Sequence, residues 1–111
     1  MRIGIVTHFD AAHFLEWERR GKEVHGHTYR VEVVIEGDLD DRGVVMDFLD
    51  LKKEVEKVTD NLDHKNLNVI LDPPTCENIS KFIYRELRKA LPVVSVKVWE
   101  GQGKWAESIG R

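Results

Sequence analysis

Thiols are nearly absent from this chain. Its single cysteine, Cys76, excludes an internal disulfide framework and a thiolate metal cluster, so any metal must be held by histidine and carboxylate. Long apolar runs are also missing: no segment approaches the roughly 20 residues of a membrane span. The first residues, MRIGIVTHFD, lack a signal peptide's apolar core and cleavage site, and a cytoplasmic protein is expected. Basic runs are absent too. With 17 Lys and Arg against 20 Asp and Glu, the net charge of -3 gives little support to a nucleic-acid partner. Only three prolines interrupt the chain, and no internal repeat or low-complexity stretch is visible.

What is present is a soluble composition, 41% hydrophobic and 33% charged, over 111 residues, which is room for one domain and one core, 1–111. Residues 2–14 alternate loosely, with Ile3, Ile5 and Phe9 apolar, and read as a strand with a bulge near 9–12. A charged loop containing Gly21 leads to a second strand, about 24–36. There His25, His27, Tyr29, Val31, Val33 and Ile35 share one face, while Thr28, Arg30, Glu32 and Glu36 share the other. Gly37 to Gly43 is turn-rich. Asp47 then reads as an N-cap, with Phe48, Leu51, Val55, Val58 and Leu62 at helical spacing to about Asn61. Pro73 and Pro74 forbid helix. Thr75 caps a second helix, 76 to about 90, whose inward residues are Ile79, Phe82, Ile83 and Leu87, and Pro92 ends it. Strands at 93–99 and 104–109 are joined at Gly101-Gln102-Gly103, a hairpin signal. The order β-β-α-α-β-β predicts an α+β fold: an antiparallel four-stranded sheet with two helices on one face. Its open edges predict assembly through strands.

The most informative stretch is His25-Gly26-His27, read with His13. Two histidines one residue apart on a strand point the same way, and His13 ends the preceding strand, within reach across a hairpin. Three imidazoles leave one coordination position open, the pattern of a catalytic zinc site rather than a closed structural one. Ordinary strand-end histidines are the alternative.

Asp63-His64 falls in a loop after the first helix. A carboxylate beside a histidine suits general acid/base work, and equally a polar loop whose side chains satisfy backbone groups. Glu77 stands in the first turn of the second helix, where the helix dipole favours it. Glu100 ends an apolar strand and requires a donor or a ligand. Cys76 is either activated by the helix N-terminus or a small buried thiol. Trp17, Trp99 and Trp105 read as core and interface aromatics.

Taken together, FDAAHFL, VHGHTYRVEV, VVMDFLDLK, LDHKNLN, PTCENI and VKVWEG resemble, in this order and spacing, the 6-pyruvoyl-tetrahydropterin synthase family, with its related 6-carboxy-tetrahydropterin synthases. The resemblance runs nearly the whole chain. It implies the T-fold, trimeric barrels stacked as a homo-hexamer, and active sites between subunits. It implies His13, His25 and His27 as ligands of Zn2+, and Asp63 and His64 as the acid/base pair. Glu100 becomes the anchor of the pterin's guanidine-like edge, with Thr75 and Glu77 lining the pocket. The implied substrate is 7,8-dihydroneopterin triphosphate. One departure stands out: where the family carries a catalytic cysteine, four residues before the first histidine of HGH, this chain has Gly21. A subgroup of the family uses a glutamate near HGH and cuts the side chain to 6-hydroxymethyl-7,8-dihydropterin. Glu23, with the parity to face the metal if the strand reaches it, is the candidate for that role; the alternative is that it is a solvent-exposed loop carboxylate. Glu18 is a further candidate, and Lys65 beside the pair is a candidate phosphate contact.

Overall fold

A computed structural model describes residues 1–19 and 21–110; Arg20 and Arg111 lie outside them. The elements are β1 (Arg2–His13), β2 (His25–Glu36), α1 (Phe48–Thr59), α2 (Cys76–Arg88), β3 (Val93–Glu100) and β4 (Lys104–Ile109), with a 3₁₀ turn at Leu67–Val69. The strands form one antiparallel sheet in the order β1-β2-β3-β4. The two helices lie on one of its faces, α2 across β3 and β4, α1 against β1 and α2. The α+β architecture read from the sequence is the observed one.

Period-two alternation builds the core. Tyr29, Val31, Val33 and Ile35 of β2 are buried with Val96 and Val98 of β3, beneath Leu51, Val55, Ile79, Ile83 and Leu87 of the helices. Each such aliphatic side chain contributes roughly 1.5–3 kcal/mol on leaving water. The helices start where their caps place them. The Asp47 carboxylate accepts the Leu49 N–H at 2.7 Å, and the Thr75 hydroxyl accepts the Asn78 N–H at 3.1 Å.

Several local expectations are corrected. β1 runs in unbroken register through residues 9–12, and the irregularity falls instead between Val34 and Ile35 opposite β3. Phe48 is exposed, because the buried stripe of α1 begins a turn later at Leu51. On α2, Phe82 packs half-buried against the core as expected, and Ser80 takes a further core position, its hydroxyl donating to the Val96 carbonyl at 2.8 Å. Trp17 and Trp105 are exposed in the single chain, which corrects the core half of their reading as core and interface aromatics. Among the described residues, no helix is long and apolar enough to cross a membrane.

Register decides where the chemistry goes. β1 and β2 pair His13 with His25, Ala11 with His27 and Phe9 with Tyr29. β3 pairs with β2 only from Tyr29 onward, where it places Glu100 opposite. The segment His25–Thr28 therefore projects past the end of β3, carrying the histidines on the helix-facing side.

Candidate metal centre and substrate pocket

The three expected histidines converge. Ring centroids are 4.7 Å apart for His13 and His25, 5.0 Å for His13 and His27, and 4.7 Å for His25 and His27. One nitrogen from each lies within 4.8 Å of the others. The surrounding backbone fixes which nitrogens are free. Nδ1 of His13 donates to the Pro74 carbonyl at 2.8 Å, and Nδ1 of His25 donates to the Glu23 carbonyl at 2.9 Å. A carbonyl only accepts, so each Nδ1 carries the hydrogen and each neutral ring keeps its lone pair on Nε2. The Nε2 atoms of His13 and His27 are buried with no hydrogen-bond partner among the described residues. Two orphaned imidazole nitrogens in a cluster whose ligand atoms lie within 4.8 Å of one another, with the tautomers of His13 and His25 set by outer carbonyls, fit a bound divalent metal.

The surroundings of His27 favour its neutral form. Burial lowers its pKa, as do the neighbouring His13, His25 and Lys104, and together they outweigh the attraction of Glu100. Glu100 Oε1 sits 3.5 Å from His27 Nε2, with its side chain only 11% exposed. This carboxylate also lines a hollow of about 320 Å³ shared with Glu18, Thr75, Cys76, Glu77 and Lys104. The expected pocket residues Thr75, Glu77 and Glu100 are thus brought together.

Cys76 lies in the same hollow, but its thiol is engaged. Sγ donates to the Val98 carbonyl at 3.0 Å, and its pKa is pushed up to about 11, by burial first and then by the charge of Glu100. It is a protonated structural thiol.

Asp63 and His64 sit where the chain leaves α1 and returns to β1. His64 N donates to the Asp10 carbonyl at 2.6 Å, and Ala12 N donates to the Lys65 carbonyl at 3.0 Å. Asp63 meets both readings of this loop at once: Oδ1 accepts the Asp10 N–H at 3.0 Å, while Oδ2 lies 2.9 Å from His64 Nδ1. The Asp10 backbone N–H and then His64 hold the Asp63 carboxyl below the usual range. His64 has a positive φ of 56°, a conformation uncommon outside glycine, and its ring is 79% exposed. With Lys65, Asp10, Thr28 and His27 it lines a second hollow of about 580 Å³. The two hollows share no lining residue, and the contact between His27 and Glu100 connects them.

Residues 2–110 match the family described as 6-pyruvoyl tetrahydropterin synthase. The chain belongs to this family. It is 50% identical over 107 residues to the dihydroneopterin monophosphate aldolase of Pyrococcus furiosus, covering 90% of each chain. It is 46% identical over 108 residues to a putative 6-carboxy-5,6,7,8-tetrahydropterin synthase of Archaeoglobus fulgidus, covering 96% of this chain and 94% of the relative. The solved structure of 6-pyruvoyl tetrahydropterin synthase from Caenorhabditis elegans superposes with a TM-score of 0.90 at 25% identity, over 100% of this chain and 96% of that one.

Within this family frame the two loop glutamates differ. β2 begins at His25, so the alternation that would aim Glu23 at the metal does not extend to it, and Glu23 is exposed. Glu18 has a buried carboxylate oxygen instead. Sequence patterning carries no sign of this, because Glu18 stands in a loop with no periodicity. Asp10, which anchors Asp63 and His64 through its backbone, was equally invisible.

Proposed function

We propose that the protein is a zinc-dependent lyase that cuts the side chain of phosphorylated 7,8-dihydroneopterin, releasing 6-hydroxymethyl-7,8-dihydropterin. The observation that carries this reading is the open three-histidine cluster abutting Glu100 in a chain whose single thiol is committed to a backbone carbonyl. The half-identical relative named as an aldolase supports side-chain cleavage.

Zinc held by His13, His25 and His27 would act as a Lewis acid toward the substrate's side-chain oxygens. Glu100 accepts the two N–H groups of the aminopyrimidinone edge, a bidentate charge-assisted pair, with Thr75 and Glu77 beside it. A glutamate of the β1–β2 loop, Glu18 or Glu23, takes the proton from the hydroxyl on the second side-chain carbon. The bond between the first and second carbons then breaks. Its electron pair passes into the ring's conjugated C=N bond, and the oxygen's pair closes the carbonyl of a two-carbon aldehyde that leaves with the phosphate. The first carbon takes a proton delivered by His64, which Asp63 orients. The separate hollow of the Asp63–His64 pair fits a homo-oligomer, the family hexamer, in which one subunit's pair completes its neighbour's site. Lys65, which lines that hollow, would meet the phosphate.

The relative named as a putative 6-carboxy-tetrahydropterin synthase favours a second reading, in which the same site makes a 6-carboxy or 6-pyruvoyl product. Zinc-loaded protein incubated with the mono- and triphosphates of 7,8-dihydroneopterin, with products identified by mass spectrometry, separates the two. A 6-hydroxymethyl product with a two-carbon aldehyde phosphate is expected. A 6-pyruvoyl or 6-carboxy product establishes the second reading, and substrate bound but unchanged makes the protein a pterin binder.

A further inference from the structure

The proton-accepting carboxylate can be narrowed to one residue. Glu18 Oε2 is buried and has no hydrogen-bond partner among the described residues. An ionised oxygen in that condition is costly unless a ligand supplies the missing donor. The hollow it lines is the one that holds Glu100, Thr75 and Glu77. The loop is tied so as to keep it there: Leu15 N donates to the Gly21 carbonyl at 2.8 Å, and Glu18 N donates to the Leu15 carbonyl at 3.1 Å. Leu15 itself is buried. Gly21 completes the arrangement, because a Cβ built there would collide with the Glu18 carboxylate and stand 3.0 Å from its Cβ. The absence of a side chain at position 21 is what leaves room for the carboxylate.

We propose that Glu18, seated in the space left by Gly21, is the catalytic carboxylate that takes the side-chain hydroxyl proton of the substrate. This rests on the lyase reading above and deepens it. The bond changes are those already given, with the proton passing from the hydroxyl to Glu18 Oε2. Glu23 has no such placement.

The test compares zinc-loaded parent, Glu18→Gln, Glu18→Ala, Gly21→Ala, Glu23→Gln and an exposed loop control, Glu16→Gln. Turnover of 7,8-dihydroneopterin monophosphate is measured alongside zinc content and pterin affinity. Glu18→Gln is expected to lose about 10²- to 10⁴-fold in kcat, with zinc content and pterin affinity kept. Glu18→Ala should be partly rescued by added formate, which a merely structural role would not permit. Gly21→Ala, by displacing the carboxylate, should reproduce the loss without removing the glutamate. Glu16→Gln should match the parent. Turnover of Glu18→Gln within about threefold of the parent, or a loss confined to Glu23→Gln, overturns the assignment to Glu18 while leaving the lyase reading intact. A parent that binds the substrate without turning it over overturns both.

Discussion

Nδ1 of His13 donates to the carbonyl oxygen of Pro74 across 2.8 Å, joining the end of β1 to the residue before the cap of α2. One hydrogen bond thus sets the tautomer of a candidate ligand and fastens the segment that carries Thr75, Cys76 and Glu77. Removing the ring should therefore affect both metal and pocket. His13→Ala is expected to weaken zinc binding by more than about a hundredfold, since even the loss of an outer partner costs 10- to 100-fold. Elemental analysis after dialysis against a weak chelator checks this. Metal retained at the parent's stoichiometry would mean that the three histidines are not the ligands.

Glu100 should be read out in binding more than in turnover. Its carboxylate is nearly buried at the end of β3, and a bidentate pair to the pterin would be charge-assisted. Glu100→Gln keeps the shape but forfeits the charge and turns one acceptor into a donor. A loss of about 1.5–3 kcal/mol, roughly 10- to 150-fold in Kd, is expected. Fluorescence titration with a pterin measures it. An unchanged Kd would remove Glu100 from the pocket's recognition role.

Much of this site was legible in the sequence because periodicity carries it. His25 and His27 share a face for the same reason that Val31 and Val33 do, and His13 falls opposite His25 because the hairpin register is unbroken. Glu100 was recognisable as a carboxylate ending an apolar row. What escaped was set by tertiary closure. The seat of Glu18 depends on a loop hydrogen bond from Leu15 to Gly21, and the placement of Asp63 on the backbone of Asp10, 53 residues away, leaves no local pattern. Alternation aims Glu23 at the histidines only on a strand that reaches it, and β2 starts at His25. Trp17 lies in a loop and Trp105 on the edge strand β4, where the single chain leaves each about half exposed or more.

Cys76 should behave as a structural thiol. Its pKa of about 11 leaves on the order of one molecule in a thousand as thiolate at pH 8. Alkylation of the native protein by iodoacetamide should run far slower than for an unfolded peptide thiol and accelerate as the pH approaches 11. Cys76→Ser should keep turnover within about threefold, since no proton transfer is assigned to the sulfur. Rapid alkylation at pH 7, or a loss of activity beyond tenfold in a folded Cys76→Ser protein, would return the thiol to the mechanism.

Asp63 links stability to pH in a direction that can be worked out. Its folded-state pKa lies below the ordinary value of 3.8, first because of the Asp10 N–H and then because of His64. The stabilising contribution of such a group is present above the ordinary carboxylate pKa and fades as the pH falls through the lowered folded value. Asp63→Asn retains an oxygen to accept the Asp10 N–H but removes the charge that holds His64. The variant should therefore unfold at a lower urea concentration than the parent at pH 7. The two midpoints should draw together as the pH is taken below about 3.8. Its kcat should fall by about 10²-fold or more at neutral pH, because His64 loses the partner that fixes its orientation. A midpoint difference that persists unchanged to pH 3 would assign the effect to shape rather than charge. Unaltered kcat would separate Asp63 from the chemistry and leave it as the anchor of its loop.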